Sequence, residues 1–304
     1  MTTAYLAAAG FADELDAELA RAGVTVALRH GNLRVSESAP IAAAWAANQW
    51  TDAERIGVAS ISDAARQLRR RQRNWVLYAP VHRGRARLIA EQLPAVSGRP
   101  LRLGELAPTA PLGSWTLLER DLLLAATDCA SPFPHGVARF VEDREGPPSR
   151  AYLKLWEAFA RIGRQPTAGQ RCLDVGAAPG GWTWLLARTG AAVTAVDRAP
   201  LAPRVARLAN VTTRRASAFA LDPTSFGPVD WWCSDLIAYP RRLFALVTRW
   251  LATGLVANLV CTVKFQGATD HAAAEAFAAL PGARLMHLSQ NKHELTCIIL
   301  DARR

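Results

Sequence analysis

The sequence predicts an α/β protein: a Rossmann-like, doubly wound and mostly parallel sheet over residues 146–304, preceded by an N-terminal α+β domain over residues 1–145. Three observations support this prediction. From residue 171 onward, short apolar runs that suit strands alternate with longer runs that suit helices, as in a sheet covered by helices on both faces. A glycine-rich turn follows the first of these strands. Charged residues stand at the carboxyl ends of later strands, where such sheets bind their ligands.

The N-terminal part is predicted to contain two hairpins and a basic helix. Its elements are, in order, a helix over Phe11–Ala22, strands over Val24–Leu28 and Leu33–Val35, helices over Ala42–Trp50 and residues 61–73, a strand over Trp75–Tyr78, a loop over Gly98–Pro111, and a hairpin of Ser114–Leu118 with Leu122–Ala126. We expect Ser62 or Asp63 to cap the basic helix.

Eight arginines lie within the 22 residues from Arg66 to Arg87, and Trp75 and Tyr78 interleave with them. Guanidinium groups that contact phosphates, together with rings that stack on bases, are typical of a nucleic-acid-binding surface. An ordinary solvated helix face would carry the same arginines. The sequence leaves both interpretations open.

Residues 129–150 are extended and proline-rich, and we place the domain boundary within them, near Gly146. The elements that follow are a helix over Ala151–Ile162, a strand ending at Val175, a helix over Trp182–Arg188, a strand over Val193–Val196, a helix over Pro203–Ala209, strands over Val211–Arg214 and Val229–Asp235, a helix over Arg241–Leu251, a strand over Val256–Val263, a helix over His271–Leu280, an apolar segment over Arg284–Leu288 and a strand over Leu295–Leu300.

The glycine-rich turn lies in residues 171–182, Arg-Cys-Leu-Asp-Val-Gly-Ala-Ala-Pro-Gly-Gly-Trp. It is similar to the dinucleotide fingerprint, but Ala178 stands where a second glycine would let a pyrophosphate approach. A nucleotide-like cofactor without phosphates therefore fits better. The next strand ends in Asp197, whose carboxylate can accept hydrogen bonds from both hydroxyls of a ribose. A glycine-rich connection without a ligand is the alternative interpretation of the turn.

Two motifs resemble those of FtsJ-type RNA 2′-O-methyltransferases. Residues 174–181 have the form D-x-G-x-x-P-G-G of their S-adenosylmethionine turn, and residues 149–155 have the form S-R-x-x-x-K-L that precedes it. The resemblance implies a class I methyltransferase fold with S-adenosyl-L-methionine as cofactor. It assigns to the cofactor site Ser149, Gly176, Ala178, Pro179, Gly180, Gly181, Trp182, Asp197, Ser217 and Asp235.

Residues 131–159 are more particularly similar to the bacterial large-subunit ribosomal RNA cytidine 2′-O-methyltransferase family. Members of that family carry an N-terminal RNA-binding part with a THUMP domain, and the N-terminal 145 residues here are short for that arrangement. The resemblance covers about residues 129–304 well and the rest poorly. Leu153 stands where these enzymes often have phenylalanine, and Ala178 where close relatives can have cysteine.

Four charged residues match, in order and type, the family's K-D-K-E tetrad: Lys154, Asp235, Lys264 and Glu294. By this resemblance Lys264 is the general base or the group that orients the hydroxyl, and the other three set its charge and position. Two lysines beside two acids would also suit structural ion pairs. Lys292 is no member of the tetrad and is expected to lie in a loop or to contact a phosphate.

Lysine is rare in this chain, since only three of its 36 basic residues are lysines, all in the C-terminal half. A desolvated lysine can act as a base near neutral pH, whereas arginine cannot. Each lysine is therefore a candidate for chemistry, although chance in an arginine-rich composition would also place them there. The formal charge of +10 favours a polyanionic partner.

The remaining composition excludes several classes of protein. No apolar run approaches the length of a membrane span, and acids near the N-terminus argue against a secretion signal, so we expect a cytoplasmic protein without membrane partners. The five cysteines lack a C-x-x-C spacing, which argues against a metal site and against a disulfide-linked partner. Ala178 and the lack of a candidate hydride-site histidine disfavour an oxidoreductase.

These observations leave three functions open. The leading one is methylation of a ribose 2′-hydroxyl in large-subunit ribosomal RNA. The same chemistry on transfer RNA or another structured RNA is the second. The third is a non-catalytic RNA-binding or ribosome assembly factor, which would have no need of a complete tetrad.

Overall fold

The computed structural model describes residues 1–303 and divides the chain into two compact units. The first consists of Met1–Leu101 and Ala107–Arg139. The second consists of Arg102–Leu106 and the chain from Phe140 onward. The division falls shortly before Gly146, where the sequence places the domain boundary, and a short piece of the loop predicted over Gly98–Pro111 belongs to the second unit.

The first unit contains two sheets and three helices. Its elements are β1 (Thr3–Ala7), α1 (Ala12–Arg21), β2 (Leu28–His30), β3 (Leu33–Ser36), β4 (Ala46–Thr51), β5 (Glu54–Gly57), α2 (Ile61–Arg71), β6 (Trp75–Leu77), α3 (Arg83–Ala90), β7 (Gly113–Glu119), β8 (Leu122–Ala126) and β9 (Asp128–Cys129). One sheet has the order β2-β3-β1-β4-β9 and the other β5-β8-β7-β6.

Strand β8 contributes to two separate cores. Leu123 and Ala125 pack in the cluster that lies under α2 and α3, whereas Leu124 and Ala126 pack with β1 and β3. Because successive side chains of a strand point to opposite faces, an all-apolar strand such as this one is buried on both sides.

Three sequence predictions for this unit are wrong in detail. The segment Ala42–Trp50 is not a helix, because its second half forms β4, which pairs with β1 and buries alternate side chains. The strand predicted over Val24–Leu28 begins only at Leu28. The cap of α2 is Ser60, whose hydroxyl accepts a hydrogen bond from the amide of Asp63 at 3.0 Å.

The second unit contains one seven-stranded sheet. Its elements are α4 (Tyr152–Ile162), β10 (Arg171–Val175), α5 (Gly181–Arg188), β11 (Ala192–Asp197), α6 (Pro203–Ala206), β12 (Val211–Arg215), β13 (Val229–Ser234), α7 (Pro240–Leu251), β14 (Val256–Lys264), α8 (His271–Ala278), β15 (Ala283–Met286) and β16 (Glu294–Ile299). The strand order is β12-β11-β10-β13-β14-β16-β15.

This topology confirms the predicted doubly wound, mostly parallel sheet. Strands β10 to β14 pair in parallel, and only β16 runs antiparallel to its neighbours β14 and β15. The strand order reverses between β10 and β13, and a crevice opens at the carboxyl ends of strands at such a point. The helix predicted over Pro203–Ala209 is shorter than expected, since α6 ends at Ala206.

Four of the five cysteines are buried in strands of this second sheet: Cys172, Cys233, Cys261 and Cys297. Burial raises the pKa of the Cys233 thiol well above its usual value, so this thiol stays protonated. Within residues 1–303, no helix is both long and apolar enough to cross a membrane.

Candidate active site

A cleft of about 500 Å³ opens at the carboxyl ends of β10, β11 and β13. Its walls come from the turn after β10, from the ends of β11 and β12, and from the loop that follows β13. The residues that line it are Ser149, Ala151, Asp174, Gly176, Ala177, Ala178, Pro179, Gly181, Trp182, Asp197, Arg198, Ala216, Ser217, Ala218, Phe219, Asp235, Leu236, Ile237, Arg242 and Lys264. The volume lies within the range of small-molecule and cofactor sites.

Close contacts with other parts of the protein require glycine at two positions of the turn, at least as much as space for a ligand does. Gly176 has φ +78°, and a Cβ on it would lie 2.3 Å from the Cβ of Leu236. A Cβ on Gly181 would lie 2.5 Å from the hydroxyl of Ser149. The sequence indicates only that side chains are excluded here, whereas the structure shows that the loop after β13 and the segment before α4 occupy the space.

Asp197 at the end of β11 is held in place by two backbone amides. Its Oδ2 accepts a hydrogen bond from the amide of Ala178 at 3.0 Å, and its Oδ1 accepts one from the amide of Ala199 at 2.9 Å. A carboxylate oxygen can accept two hydrogen bonds, so each keeps capacity for a ligand. The geometry thus fixes this carboxylate at the rim of the cleft.

Two buried polar atoms in the cleft wall have no hydrogen-bond partner among the described residues. They are the Oγ of Ser149 and the Oδ1 of Asp174. The other oxygen of Asp174 accepts a hydrogen bond from the hydroxyl of Thr183 at 2.6 Å. Because a buried polar atom without a partner is costly, the two orphaned atoms fit a site that is completed by a polar ligand.

Burial, together with the nearby carboxylates of Asp235 and Asp197, raises the pKa of Asp174 to about 7. The hydrogen bond from Thr183 acts in the opposite direction but is outweighed. Three carboxyl groups therefore share this cleft, and a cationic ligand would relieve the repulsion between them.

The four residues of the predicted tetrad form a continuous chain of alternating charges. Lys264 Nζ lies 2.9 Å from Asp235 Oδ1, Lys154 Nζ lies 3.2 Å from the same oxygen, and Lys154 Nζ lies 2.7 Å from Glu294 Oε1. Lys264 Nζ also donates to the backbone carbonyl of Asp235 at 2.5 Å. Asp235 thus links the two lysines, and Lys154 links the two acids.

Burial disfavours the charge on Lys154, but the carboxylates of Asp235 and Glu294 outweigh this effect and raise its pKa. Lys154 therefore stays an ammonium group at neutral pH. The side chains of Lys154 and Glu294 are only 14% and 7% exposed and do not line the cleft, whereas Asp235 and Lys264 do. Lys154 and Glu294 therefore support Asp235 and Lys264, the two members of the tetrad that face the cleft.

Secondary structure explains how the tetrad comes together. Lys264 and Glu294 lie directly opposite each other in the antiparallel pairing of β14 with β16. Asp235 follows β13, the other neighbour of β14, and Lys154 comes from α4. Four sequence-distant positions therefore meet at one edge of the sheet.

The predicted cofactor residues also converge. All of them line the cleft except Gly180, whose positive φ of +111° is needed at the start of α5. Trp182 lines the cleft and donates its indole N–H to the carbonyl of Ala151 at 2.9 Å. No sequence motif indicates Arg198, Phe219, Ile237 or Arg242, because only the tertiary fold places these residues at the cleft. Arg198 could have been found because it directly follows Asp197.

Sequence reasoning also missed a second charged cluster on α4. Glu157 is fully buried, and its Oε1 accepts hydrogen bonds from the Nε of Arg161 at 2.9 Å and from the amide of Ser289 at 2.9 Å. Its Oε2 accepts from the hydroxyl of Ser289 at 2.6 Å and from the amide of Gln290 at 3.2 Å. Glu157 therefore ties α4 to the loop that leads into β16. A charged residue on an otherwise apolar helix face was the available signal.

The arginine-rich segment of the first unit is only partly available for a ligand. Trp75 is buried in the core and donates its indole N–H to the carbonyl of Leu68, so its ring is not available to stack on a base. Arg66, Arg71 and Arg87 each pair with a carboxylate, and Arg69 and Arg85 each bond a backbone carbonyl. In the described chain, no side-chain hydrogen bond or ion pair engages Arg70, Arg73 or Arg83.

Among residues 1–303 there is no group of three or more His, Cys, Asp or Glu side chains that could hold a metal ion.

Comparison with known proteins agrees with this geometry. Residues 147–270 match the model of the FtsJ-like methyltransferase family. The matched region includes the turn after β10, Asp197, Asp235 and Lys264.

Curated relatives extend the similarity. The chain is 37% identical over 179 residues to the ribosomal RNA large subunit methyltransferase M of Halorhodospira halophila, covering 57% of this chain and 51% of that protein. It is 32% identical over 253 residues to the protein of the same name from Marinobacter nauticus, covering 75% of this chain and 65% of that protein. The chain spans about half the length of the first of these relatives.

Among solved structures, the fibrillarin pre-rRNA processing protein of Methanococcus jannaschii aligns with a TM-score of 0.37 and 17% identity, covering 49% of this chain and 74% of that one. At this level of similarity the alignment carries no argument about function.

Proposed function

We propose that this chain transfers a methyl group from S-adenosyl-L-methionine to a ribose 2′-hydroxyl in RNA, with large-subunit ribosomal RNA as the substrate, because residues 147–270 match the FtsJ-like methyltransferase family and its relatives are ribosomal RNA methyltransferases. The observation that carries the proposal is the chain of charges Lys264–Asp235–Lys154–Glu294, whose outer end reaches the cleft.

The character of the cleft supports the choice of cofactor. Asp174, Asp197 and Asp235 all line it, and carboxylates in these positions attract the cationic groups of a ligand. S-adenosylmethionine carries a sulfonium and an ammonium group, and it supplies the methyl group to be transferred. We propose that Asp197 holds its ribose and that the orphaned atoms of Ser149 and Asp174 receive its polar groups.

Lys264 is the group that we assign to the reacting hydroxyl. It directs two N–H groups to Asp235. In the neutral amine these are all of its N–H groups, so its lone pair is left to accept a hydrogen bond from the 2′-hydroxyl and to hold the oxygen in line with the methyl group. Methyl transfer would form the oxygen–carbon bond and break the carbon–sulfur bond, whose electron pair passes to sulfur, and the hydroxyl proton would pass to the lone pair of Lys264, which becomes an ammonium group beside Asp235. Lys154 and Glu294 keep that pair in position and balance its charge.

The N-terminal domain, residues 1–145, is proposed to bind RNA, and the domain of residues 146–304 to carry the reaction. The unpaired side chains of Arg70, Arg73 and Arg83 support RNA binding, because they are free to contact phosphates. A ribosomal RNA substrate would place the protein in the cytoplasm. Transfer RNA or another structured RNA as substrate, and a non-catalytic assembly role, are the alternatives.

The direct test is methyl transfer from radiolabelled S-adenosylmethionine to large-subunit ribosomal RNA transcribed in vitro, with transfer RNA as the competing substrate. We expect label in ribosomal RNA and resistance of the modified position to alkaline hydrolysis, since a 2′-O-methyl group blocks attack by the 2′-oxygen. Label in transfer RNA alone would support the first alternative. No label in either RNA, with RNA binding retained, would favour the assembly role.

Asp197→Ala tests the cofactor site independently of any RNA. The variant loses a charged acceptor, so we expect S-adenosylmethionine to bind about ten-fold or more weakly in calorimetry. Asp222→Ala is the matched control, because Asp222 is an exposed acid whose contacts are to its own turn. Equal affinities in both variants would remove Asp197 from the site.

A further inference from the structure

The loop Leu236–Tyr239, which joins β13 to α7, exposes two large apolar side chains beside the candidate active site. Ile237 is 78% exposed and Tyr239 is 66% exposed. Between residues 142 and 303 these are the only large apolar side chains that are exposed. These two side chains, separated only by Ala238, form a local apolar surface that is not packed in the core of the fold.

The backbone of this loop is held firmly while the two side chains point outward. Leu236 packs under Gly176, Ala238 is buried, and Pro240 is buried as the first residue of α7. The carbonyl of Tyr239 accepts hydrogen bonds from the amides of Arg242 and Leu243 at 3.0 and 3.1 Å. The exposure of Ile237 and Tyr239 is thus a property of an ordered segment, and little conformational entropy is lost when a ligand binds to it.

The position of the loop limits what can cover it. The loop begins directly after Asp235, whose carbonyl accepts the hydrogen bond from Lys264, and Ile237 itself lines the cleft. Whatever presents a hydroxyl to Lys264 must therefore pass beside this loop.

The charges around the loop complement a polyanion. Arg198, Arg242 and Lys264 line the same cleft, and the guanidinium group of Arg242 stacks on Phe219 at 3.8 Å from the ring centroid. These cationic groups and the exposed ring of Tyr239 match the two parts of a nucleotide, its phosphate and the flat face of its base.

We propose that Tyr239 and Ile237 form a platform on which the base of the target nucleotide stacks, so that the nucleotide is bound as an unpaired or flipped-out residue. The inference rests on the proposed function and adds to it the state of the substrate. A paired base would keep both its faces in the helical stack, whereas a base on this platform must have left that stack.

The platform is tested with a single-stranded oligoribonucleotide of about nine residues that carries 2-aminopurine at its centre. Stacking on an aromatic ring quenches the fluorescence of this base. We expect quenching by the wild-type protein, loss of quenching and roughly 5- to 150-fold weaker binding for Tyr239→Ala, and near-complete recovery for Tyr239→Phe. Affinity for S-adenosylmethionine should not change in either variant.

Ile237→Ser and Val141→Ser form a matched pair, because both positions are exposed and β-branched but Val141 does not line the cleft. We expect weaker oligonucleotide binding only for Ile237→Ser. Equal quenching by wild type and Tyr239→Ala would overturn the platform. A change in sedimentation for Tyr239→Ala with unchanged RNA binding would also overturn it, since the loop would then serve contacts between copies of the chain.

The test separates this inference from the proposed function. If the wild-type protein quenches 2-aminopurine through Tyr239 but transfers no methyl group to RNA, the proposed function fails and the stacking surface stands. If methyl transfer to ribosomal RNA proceeds equally in wild type and Tyr239→Ala, the proposed function stands and the platform fails.

Discussion

Helix α4 carries two charged clusters one turn apart, and they differ in their access to solvent. Around Glu157 every partner is internal, since the carboxylate is fully buried and receives hydrogen bonds from Arg161, Ser289 and Gln290. Around Lys154 the chain of charges leads outward to Lys264, whose side chain is 18% exposed and lines the cleft.

Access to the cleft separates charges that stabilise the fold from charges that can act on a ligand. A sealed cluster whose hydrogen bonds are all satisfied cannot reach a substrate, so it acts on stability. A cluster that ends in a cleft, with donor capacity to spare, can act on a bound molecule. Proximity alone would not distinguish the two, because both clusters contain close pairs of opposite charges.

The largest expected effect is on the sealed cluster. Glu157→Ala removes the fully buried carboxylate that Arg161 and two backbone amides share as an acceptor, so the free energy of unfolding should fall by about 3 to 5 kcal/mol. Chemical denaturation measures this. Glu142→Ala is the control, because it breaks the more exposed pair with Arg150 and should cost less than about 1 kcal/mol. Unchanged stability with abolished methyl transfer would show that the sealed cluster acts in the reaction and would break the comparison.

Asp174 lies between the two classes, since it is buried but lines the cleft. In the native state the carboxyl group of Asp174 has a pKa of about 7, whereas in the unfolded chain it releases its proton near pH 3.8. The native state therefore binds more protons between these two pH values. Its contribution to stability is therefore full below about pH 4 and falls as the pH rises, by up to about 4 kcal/mol at about pH 8. Asp174→Asn should remove this part of the decline in urea unfolding. If the free energies of unfolding of wild type and Asp174→Asn changed in parallel with pH, Asp174 would not be the cause of the decline.

Lys264 should affect turnover without affecting stability. Lys264→Arg keeps the positive charge but cannot take up a proton near neutral pH, so we expect methyl transfer to fall by about 10²-fold or more with the fold and cofactor binding retained. Single-turnover transfer measured against pH provides the test. Lys264→Ala should be equally impaired. Near-native turnover in the arginine variant would assign Lys264 to the structural class, as a counter-ion of Asp235.

The smallest effect concerns exposed charges in the first unit, where paired and unpaired arginines can be compared. Substitution of Arg70, Arg73 and Arg83 by glutamine should flatten the salt dependence of RNA binding, by roughly 0.7 to 0.9 in the slope for each phosphate that is no longer neutralised. The matched control replaces Arg66, Arg71 and Arg87, which are paired with carboxylates. Equal slopes in wild type and both variants would make the cluster a solvated surface.

Much of the second unit could be predicted because its signals are local. Apolar periods of two and of about 3.6 residues place its strands and helices, and the topology confirms the predicted sheet. In the first unit the same reasoning fails for Ala42–Trp50, because an alanine-rich segment has helical propensity but pairing with β1 overrides it. The sequence also does not indicate that Trp75 is buried, since an aromatic residue among arginines is compatible with a surface position and with a core position.

The amino-acid sequence is sufficient to predict the order of the helices and strands in the second unit, the turn after β10 and the four charged residues at strand ends and on α4. It could not determine which of these charges pair. Glu294 lies opposite Lys264 on the neighbouring strand, yet in the structure Glu294 pairs with Lys154, and Asp235 pairs with both lysines. Only the tertiary structure decides such pairings and the sealing of Glu157, because they depend on how α4 packs against loops more than 80 residues away in the chain. Local periodicity carries no information about contacts at that separation.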